Sequence, residues 1–271
     1  MPESRPRPIT APRIRASKRR DGSPPLVMVT AYDAPGARVA DAAGVDLILV
    51  GDSVANAVLG YEDTLQVTID DMVHHTAAVA RARPAPLIVG DLPWMSYHVD
   101  VADTLRNAAA LIRAGAGAVK LEGGRIRVPM VEALVAAEIP VMGHLGLTPQ
   151  SVHAMGGYKV QGKGVAEAEA LAGDAKALAA AGCFAVVLEG IPESLGATIT
   201  ELIDVPTIGI GAGAACDGQV LVMHDLLGFN PSPAKFVRRY ADLATAATEA
   251  VAAYAADVRS GAFPADAESY H

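Results

Sequence analysis

The sequence predicts an α/β protein that folds as one (β/α)8 barrel, and two observations carry this prediction. Short runs of β-branched residues alternate with longer Ala-rich stretches at helical period, a pattern typical of βα units around a parallel sheet. The chain has 271 residues, 51% of them hydrophobic, which is enough for the single core of a barrel of about 250 residues. With four Phe and one Trp, that core must consist of small and branched side chains, as barrel interiors usually do.

Eight candidate strands follow one another along the chain. They are residues 26–30, 46–50, 87–90, 118–121, 139–142, 184–188, 207–210 and 220–223. Ala43-Gly44, Ala114-Gly115 and Ala181-Gly182 each end a helical stretch before a strand, and an acidic residue follows each of these three strands. The similarity of the three stretches indicates a repeated unit of helix, glycine turn and buried strand.

Helix starts are indicated at three places. Thr68 and Asp71 have the spacing of a capping box, and so do Asp100 and Asp103. Ser232-Pro233 puts Pro at a first helical position, where its missing N–H costs nothing. We therefore expect helices after Thr68, after Asp100 and after Ser232.

Other segments set the boundaries of the barrel. Residues 143–164 carry Gly-Gly, Pro and scattered polar residues, which predicts a long loop over one barrel face, of the kind that usually has a function. Residues 234–259 are predicted as the last long helix, closing the ring before a tail. Residues 1–23 hold seven Arg and Lys mixed with Pro and are interpreted as a disordered or variable lead-in. Residues 24–271 are then one barrel domain.

Composition excludes several classes of function. The formal charge of −8 argues against a general nucleic-acid surface, which needs clustered Lys and Arg over a broad face. No apolar run approaches the roughly 20 residues that span a bilayer, so no membrane partner is expected. Cys183 and Cys216 have no metal-ligand spacing and are too few for a disulfide framework. A reducing cytoplasm and small-molecule partners fit this composition.

The polar residues that follow the candidate strands are the candidate site, because barrel enzymes assemble their sites at the carboxyl ends of the strands. These residues are Tyr32, Asp33, Asp52, Ser53, Asp91, Lys120, Glu122, His144, Glu189, the glycine turn 209–213, His224 and Asp225. So many ionisable groups at strand ends exceed what loop polarity alone explains. The glycine turn could cradle a phosphate, but close packing of its backbone against the site is the preferred interpretation.

Asp52, Asp91 and Glu122 have two interpretations. Asp-Ser sequences favour local bonds to the backbone and helix caps, so the acids could be turn chemistry alone. Three acids that converge from neighbouring strands would repel one another unless a cation held them, and hard divalent ions with oxygen ligands supply that cation. A Mg²⁺ site is the sharper hypothesis.

Three further residues have a structural and a catalytic alternative each. Lys120 could form a buried ion pair, stabilise an anionic substrate, or do both. Glu189 ends an apolar strand, where partial desolvation suits a general base, although a salt-bridged structural Glu is the alternative. His144 could donate to a substrate oxygen or pack beneath the long loop.

Several motifs closely resemble the 3-methyl-2-oxobutanoate (ketopantoate) hydroxymethyltransferase family. They are VTAYD at 29–33, LVGDS at 49–53, DLP at 91–93, VKLEGG at 119–124, GHLGLTPQS at 143–151, GGYKVQG at 156–162, IGIGAG at 208–213 and DGQVLVMHD at 217–225. The resemblance runs from about residue 25 to the C-terminus. Departures are Val54-Ala55-Asn56 in place of the more usual Leu-Gly-Met, and Trp94 where Phe is common. They bear on how the loop near Asp52 closes over a substrate.

The resemblance implies a barrel of the phosphoenolpyruvate/pyruvate-binding type. The implied reaction transfers a hydroxymethyl group from 5,10-methylenetetrahydrofolate to 3-methyl-2-oxobutanoate, giving 2-dehydropantoate for pantothenate and coenzyme A synthesis. It also implies a homo-oligomer, namely a decamer. The implied Mg²⁺ ligands are Asp52, Asp91 and Glu122, the keto-acid contacts are Asp52, Ser53, Asp91 and Lys120, the proton acceptor is Glu189, and His144 is the active-site histidine.

Two alternatives remain open at this point. A carbon–carbon lyase or mutase of the same superfamily would share the Mg²⁺ acids, but such enzymes commonly carry a catalytic Cys on a mobile loop. A non-catalytic barrel that only binds a ligand is the other alternative. The presence of all the strand-end acids together with Lys120 counts against it.

Overall fold

The structure, a computed structural model, describes residues 8–18 and 22–271. Its centre is a closed barrel of eight parallel strands in chain order, with β8 paired back to β1. The strands are β1 Leu26–Thr30, β2 Leu47–Val50, β3 Leu87–Asp91, β4 Ala118–Glu122, β5 Val141–Gly146, β6 Ala185–Glu189, β7 Thr207–Ile210 and β8 Gly218–Leu221. The predicted fold class is confirmed.

Ten α-helices are present in the described residues. They are α1 Ala11–Ala16, α2 Ala34–Ala42, α3 Ile69–Arg81, α4 Val101–Ala114, α5 Val128–Ala136, α6 Val152–Met155, α7 Val165–Ala180, α8 Glu193–Leu202, α9 Met223–Leu226 and α10 Leu243–Ser260. A π-helix covers Ala55–Leu59. None of these helices combines the length and apolarity that crossing a bilayer requires.

The chain divides into two compact units, one ending at Val222 and one beginning at Met223. The first unit holds all eight strands. The second holds α9 and α10, and Asp225 in α9 accepts a hydrogen bond from Asn230 Nδ2 at 2.8 Å. One catalytic domain over residues 24–271 therefore stays a prediction.

Two of the three predicted helix starts are confirmed. Thr68 and Asp71 form the capping box of α3, and the Asp100 side chain accepts a hydrogen bond from the Asp103 backbone N–H at the start of α4. The third is wrong, since the last long helix begins at Leu243 with Asp242 as its N-cap. The backbone N–H groups of Tyr240 and Leu243 donate to the Leu226 and Leu227 carbonyls, so the chain before Leu243 is held against the end of α9 and not in a helix of its own.

Part of the segment 1–23, which was predicted as a disordered or variable lead-in, is ordered in the described residues. Residues 11–16 form α1, and Ala11 and Ile14 belong to the hydrophobic cluster inside the barrel. The Ile9 backbone N–H donates to the Ala85 carbonyl just before β3, which places this segment at the amino ends of the strands. Residues 1–7 and 19–21 lie outside the described residues.

The fifth strand differs most from its prediction. It continues to Gly146, so its second half lies within the stretch predicted as a loop from Gly143. Both glycines meet close neighbours: a Cβ on Gly143 would lie 2.9 Å from Leu178 Cδ1, and one on Gly146 would lie 2.2 Å from the Glu189 carbonyl oxygen. These glycines permit tight packing inside the barrel wall, and a real loop with the short helix α6 follows.

Candidate active site

The predicted site residues meet at the carboxyl end of the barrel. Asp91 pairs in register with Lys120, Glu122 with His144, and Gly146 with Glu189 across the neighbouring strands β3 to β6. Asp52 follows β2 directly, and its backbone N–H lies 3.3 Å from Asp91 Oδ2. Asp52, Asp91, Lys120, Glu122 and His144 are all at most 4% exposed. The interior of the barrel therefore carries a buried cluster of charges at this end.

The cluster is organised around two side chains that carry or can carry positive charge. Lys120 Nζ lies 2.8 Å from Asp91 Oδ1 and 3.7 Å from Glu122 Oε1. His144 Nδ1 lies 3.2 Å from the same Glu122 oxygen, and His144 Nε2 lies 3.2 Å from Glu189 Oε2. The buried ion-pair interpretation of Lys120 is confirmed. Because His144 belongs to β5 and touches an acid with each ring nitrogen, it links Glu122 to Glu189.

Two residues that the sequence analysis missed complete the cluster. Gln150 Nε2 donates to Asp52 Oδ2 at 2.8 Å, and the Gln150 backbone N–H donates to Glu122 Oε2 at 3.1 Å. The Tyr97 hydroxyl donates to Gln150 Oε1 at 2.6 Å. Gln150 lies within the GHLGLTPQS motif, which was the signal available in the sequence. Nothing in the pattern around Tyr97 indicated a role.

Ser53 stands beside the acid cluster, directly after Asp52. Its hydroxyl and the Tyr32 hydroxyl are 2.8 Å apart. Asp33, by contrast, accepts a hydrogen bond from the Gly36 backbone N–H and is the N-cap of α2. Asp33 is thus a helix cap outside the acid cluster, whereas Asp52 lies beside Asp91.

Burial and charge shift the pKa values of the cluster in opposite directions. Burial, together with the charges of Asp91 and Glu122, raises the pKa of Asp52 well above its usual value. Burial also raises the pKa of Asp91, although Lys120 opposes this. Burial and Lys120 act to lower the pKa of His144, but Glu122 and Glu189 outweigh them and raise it to about 9. His144 is then protonated at neutral pH.

The chemistry of this donor set fits a divalent cation. Three buried carboxylates outnumber Lys120 and His144, and burial together with the charges of Asp91 and Glu122 raises the pKa of Asp52. Asp91 Oδ1 and Glu122 Oε1 are buried without a hydrogen bond of regular geometry. Among the described residues, no three His, Cys, Asp or Glu side chains stand preassembled around one point. Mg²⁺ needs only one or two carboxylates, since water and substrate oxygens fill its other positions.

Neither cysteine lies near this cluster. Cys183 precedes β6 and Cys216 precedes β8, so both are at the amino ends of the strands. Both are buried free thiols, and burial raises the pKa of Cys183 to about 12. Neither has the setting of a catalytic thiol on a loop at the carboxyl end.

The glycine turn after β7 packs tightly against α8. A Cβ on Gly213 would lie 2.4 Å from Glu193 Cγ, and one on Gly196 would lie 2.3 Å from the Ala212 carbonyl oxygen. These contacts are with α8, so the predicted packing of the turn against the site stays a prediction.

Comparison with protein families gives a match over nearly the whole chain. A family model described as ketopantoate hydroxymethyltransferase matches residues 8–266. The chain is 61% identical over 246 residues to the 3-methyl-2-oxobutanoate hydroxymethyltransferase of Methylobacterium sp. (strain 4-46), covering 90% of this chain and 85% of that protein. It is 54% identical over 264 residues to the enzyme of the same name from Moorella thermoacetica, covering 97% of each.

Solved structures with the same fold are more distant in sequence. Phosphonopyruvate hydrolase aligns with a TM-score of 0.63 at 15% identity, covering 97% of this chain and 92% of that one. A 2,3-dimethylmalate lyase of the PEP mutase/isocitrate lyase superfamily aligns with a TM-score of 0.60 at 17% identity, covering 96% and 91%. At these identities the likeness shows the fold alone.

Proposed function

The chain belongs to the ketopantoate hydroxymethyltransferase family and is an enzyme of that family, and from this premise we propose that it takes its one-carbon unit from 5,10-methylenetetrahydrofolate with the aid of Mg²⁺. The acceptor is 3-methyl-2-oxobutanoate and the product is 2-dehydropantoate. The observation that carries the proposal is the buried cluster of three acids around Lys120, next to Glu189.

The acids and the metal have distinct tasks in this proposal. Asp52, Asp91 and Glu122 would hold Mg²⁺, which when bound supplies Lewis-acid polarisation of the keto acid's oxygens, worth several kcal/mol. Asp52, Ser53 and Asp91 also contact the keto acid. Phosphonopyruvate hydrolase, which has a similar fold, has been solved in complex with oxalate and Mg²⁺. Oxalate, like the keto acid, carries a carboxylate next to a second carbonyl group.

Glu189 is the proposed proton acceptor. It ends β6, its side chain is 15% exposed, and one of its oxygens lies 3.2 Å from His144 Nε2. It is therefore the acid of the cluster that a substrate reaches from solvent. Glu189 removes the proton on the carbon next to the keto group, and general-base catalysis of this kind typically contributes a factor of roughly 10²–10⁴.

Lys120 and His144 handle the charge that this proton transfer creates. Asp91, Glu122 and Asp52 outweigh burial and raise the pKa of Lys120, so it remains a cation and stabilises the enolate oxygen. His144 is protonated and lies between Glu122 and Glu189, so it holds the Glu189 carboxylate in place. It remains hydrogen-bonded to Glu189 when that carboxylate takes up the proton and loses its charge. The enolate carbon then bonds to the methylene carbon, both C–N bonds of that carbon to the folate break, and water supplies the oxygen of the new hydroxymethyl group. The two folate nitrogens take up one proton from Glu189 and one from that water, and tetrahydrofolate leaves.

Product detection with and without the folate tests the donor. Enzyme, Mg²⁺ and 3-methyl-2-oxobutanoate should give 2-dehydropantoate when 5,10-methylenetetrahydrofolate is present, and no product when it is withheld. Mass spectrometry detects the product. Equal product from formaldehyde alone would reject the folate as donor. Cleavage of branched malates to keto acids under the same conditions would favour a lyase, which the amino-end position of both cysteines disfavours.

A further inference from the structure

We propose that Gln150 and Tyr97 are positioning residues that act in series to set the metal-facing oxygens of Asp52 and Glu122. Neither residue belongs to the acids, the base or the cations assigned above. The inference rests on the proposed function in one respect, namely that these two acids hold Mg²⁺. Its geometry is independent of which keto acid or one-carbon donor the enzyme uses.

The direction of every hydrogen bond in this series is fixed by its neighbours. Gln150 Nε2 lies 3.0 Å from the Leu92 carbonyl oxygen, which can only accept, so the amide must point its NH₂ group that way. The second hydrogen of that NH₂ goes to Asp52 Oδ2. The Glu122 backbone N–H donates to the Tyr97 hydroxyl oxygen at 3.1 Å, so the hydroxyl proton goes to Gln150 Oε1.

Burial makes this arrangement rigid. Tyr97 is 0% exposed and Gln150 is 5% exposed. The Arg127 guanidinium carbon lies 5.2 Å from the centre of the Tyr97 ring and covers one face of it. An amide flip would leave a buried donor facing a donor, which costs about 1–3 kcal/mol.

One residue thereby fixes one oxygen on each of two metal-binding acids. The Gln150 side chain holds Asp52 Oδ2 and its backbone N–H holds Glu122 Oε2. This leaves the other oxygen of each acid outside the contacts of Gln150, and Glu122 Oε1 lies 3.2 Å from His144 Nδ1 and 3.7 Å from Lys120 Nζ. Because an amide is neutral, it orients Asp52 without neutralising the charge that attracts a divalent ion. A lysine at position 150 would orient the same carboxylate but compete with the metal.

Mg²⁺ affinity, measured by calorimetry without keto acid or folate, tests the series through a double-mutant cycle. Gln150→Leu and Tyr97→Phe should each weaken Mg²⁺ binding, Gln150→Leu by about tenfold, since it removes a hydrogen bond to a charged group. The double variant should lose less affinity than the product of the two single losses, because the Tyr97 hydroxyl reaches the Asp52 side chain only through Gln150 and its other contact is to the Glu122 backbone N–H. In heavy water, the kcat for exchange of the substrate proton should fall with the same pattern.

Ser96→Ala is the matched control. The Ser96 hydroxyl donates to the Pro93 carbonyl oxygen at 2.7 Å in the same buried loop, but it does not touch the acids. This variant should lose stability and keep the parent's Mg²⁺ affinity.

Three outcomes would overturn the proposal. They are unchanged Mg²⁺ affinity in folded Tyr97→Phe, unchanged affinity in Gln150→Leu, and a double variant whose loss equals the product of the two single losses. If Gln150→Leu does not fold, the Mg²⁺ affinity of Tyr97→Phe compared with that of Ser96→Ala still tests the proposal, because each of these variants removes a single hydroxyl group. If the parent binds Mg²⁺ and the cycle behaves as expected but no folate-dependent product forms, the proposed function fails and the positioning role stands.

Discussion

Asp52, Asp91 and Glu122 place three carboxylates against one lysine and one histidine inside the barrel. Water cannot screen them there, and burial first, then the neighbouring carboxylates, raise the pKa of Asp52, while burial raises that of Asp91 against the opposing charge of Lys120. A divalent cation relieves the repulsion between the carboxylates. This imbalance of charge, more than any single distance, is the physical argument for a metal at this end of the barrel.

Removal of one charge should therefore remove metal affinity. Asp52→Asn or Asp91→Asn should weaken Mg²⁺ binding strongly and nearly abolish turnover, because a neutral amide does not offset the charge of the ion. Calorimetric titration of each variant measures this. Asp33→Asn is the control, since Asn also caps a helix and Asp33 caps α2. Parent-like affinity in the two site variants would take these acids out of the metal site.

Lys120 is proposed to stabilise charge and not to transfer a proton. Lys120→Arg keeps the charge but changes its shape and reach within 2.8 Å of Asp91, so it should retain part of the activity. Lys120→Ala should lose far more, because two acids lose their buried partner. Steady-state kinetics compare the two. If Lys120→Ala matches the parent enzyme, the assigned role is wrong.

Glu189 can be tested separately from the one-carbon transfer. Enzyme, Mg²⁺ and 3-methyl-2-oxobutanoate in heavy water should exchange the proton next to the keto group for deuterium even without folate. Glu189→Gln should lose exchange and turnover together while still binding the keto acid, because the amide has no basic oxygen. NMR of recovered substrate reads the exchange. Exchange at the parent rate would move the base elsewhere, and His144, 3.2 Å away, would be the first candidate, in which case its imidazole must be neutral in the working enzyme.

The charged half of this site could be predicted from sequence, and the neutral half could not. An acid or a lysine after an apolar strand is conspicuous, because it is costly to bury and the barrel directs it to one end. Gln150 follows Pro149 in a segment predicted as a loop, and Tyr97 follows β3 by several residues. Their roles depend on hydrogen-bond directions between three different segments, and one-dimensional spacing carries no such information.

At the level of elements, the sequence located the strands better than their ends. β1 and β7 have their predicted bounds, whereas β5 is displaced toward Gly146. Glycine ordinarily marks a turn, but in β5 it marks close packing against Leu178 and the Glu189 carbonyl group. In residues 1–23, the basic, Pro-containing composition gave no indication of the short helix α1.

The helix α1 is expected to contribute measurably to the stability of the barrel. Ile14 is 1% exposed within the core cluster, so Ile14→Ala should lower the free energy of unfolding by about 2–5 kcal/mol. Urea unfolding followed by circular dichroism measures this. Arg13→Ala, on the exposed side of the same helix, should change it by less than about 0.5 kcal/mol. Equal stability of both variants would show that the segment is a dispensable lead-in after all.

For the barrel unit as a whole, the two ends have separate tasks. At the amino end, Lys18 Nζ lies 2.8 Å from Asp217 Oδ2, and that oxygen also accepts from the Thr207 backbone N–H. This pairing and α1 close the barrel opposite the acid cluster. Contacts that maintain the fold are thus concentrated away from the strand ends where the charges repel one another.

The surface of α10 bears on the assembly state. No residue of this 18-residue helix is buried, and Val251, Tyr254 and Val258 are 66%, 57% and 46% exposed. Their spacing of three and four residues puts them on one face of the helix. An exposed apolar stripe of this kind commonly marks a protein interface. The stripe is therefore a candidate surface for the homo-oligomer that the family resemblance leads us to expect.

Light scattering coupled to size exclusion should therefore give a mass several times the 27.8 kDa of one chain, and ten times it for the decamer. Tyr254→Asp should shift the protein toward smaller species, because it puts a charge into the apolar stripe. Ala256→Asp adds the same charge on another face of α10, where the residue is also exposed, and should leave the mass unchanged. If both variants dissociate equally, the added negative charge causes the dissociation and the apolar stripe is not the interface. A stable monomer of the parent at micromolar concentration would contradict the oligomer itself, and α10 would then need another partner for its apolar stripe.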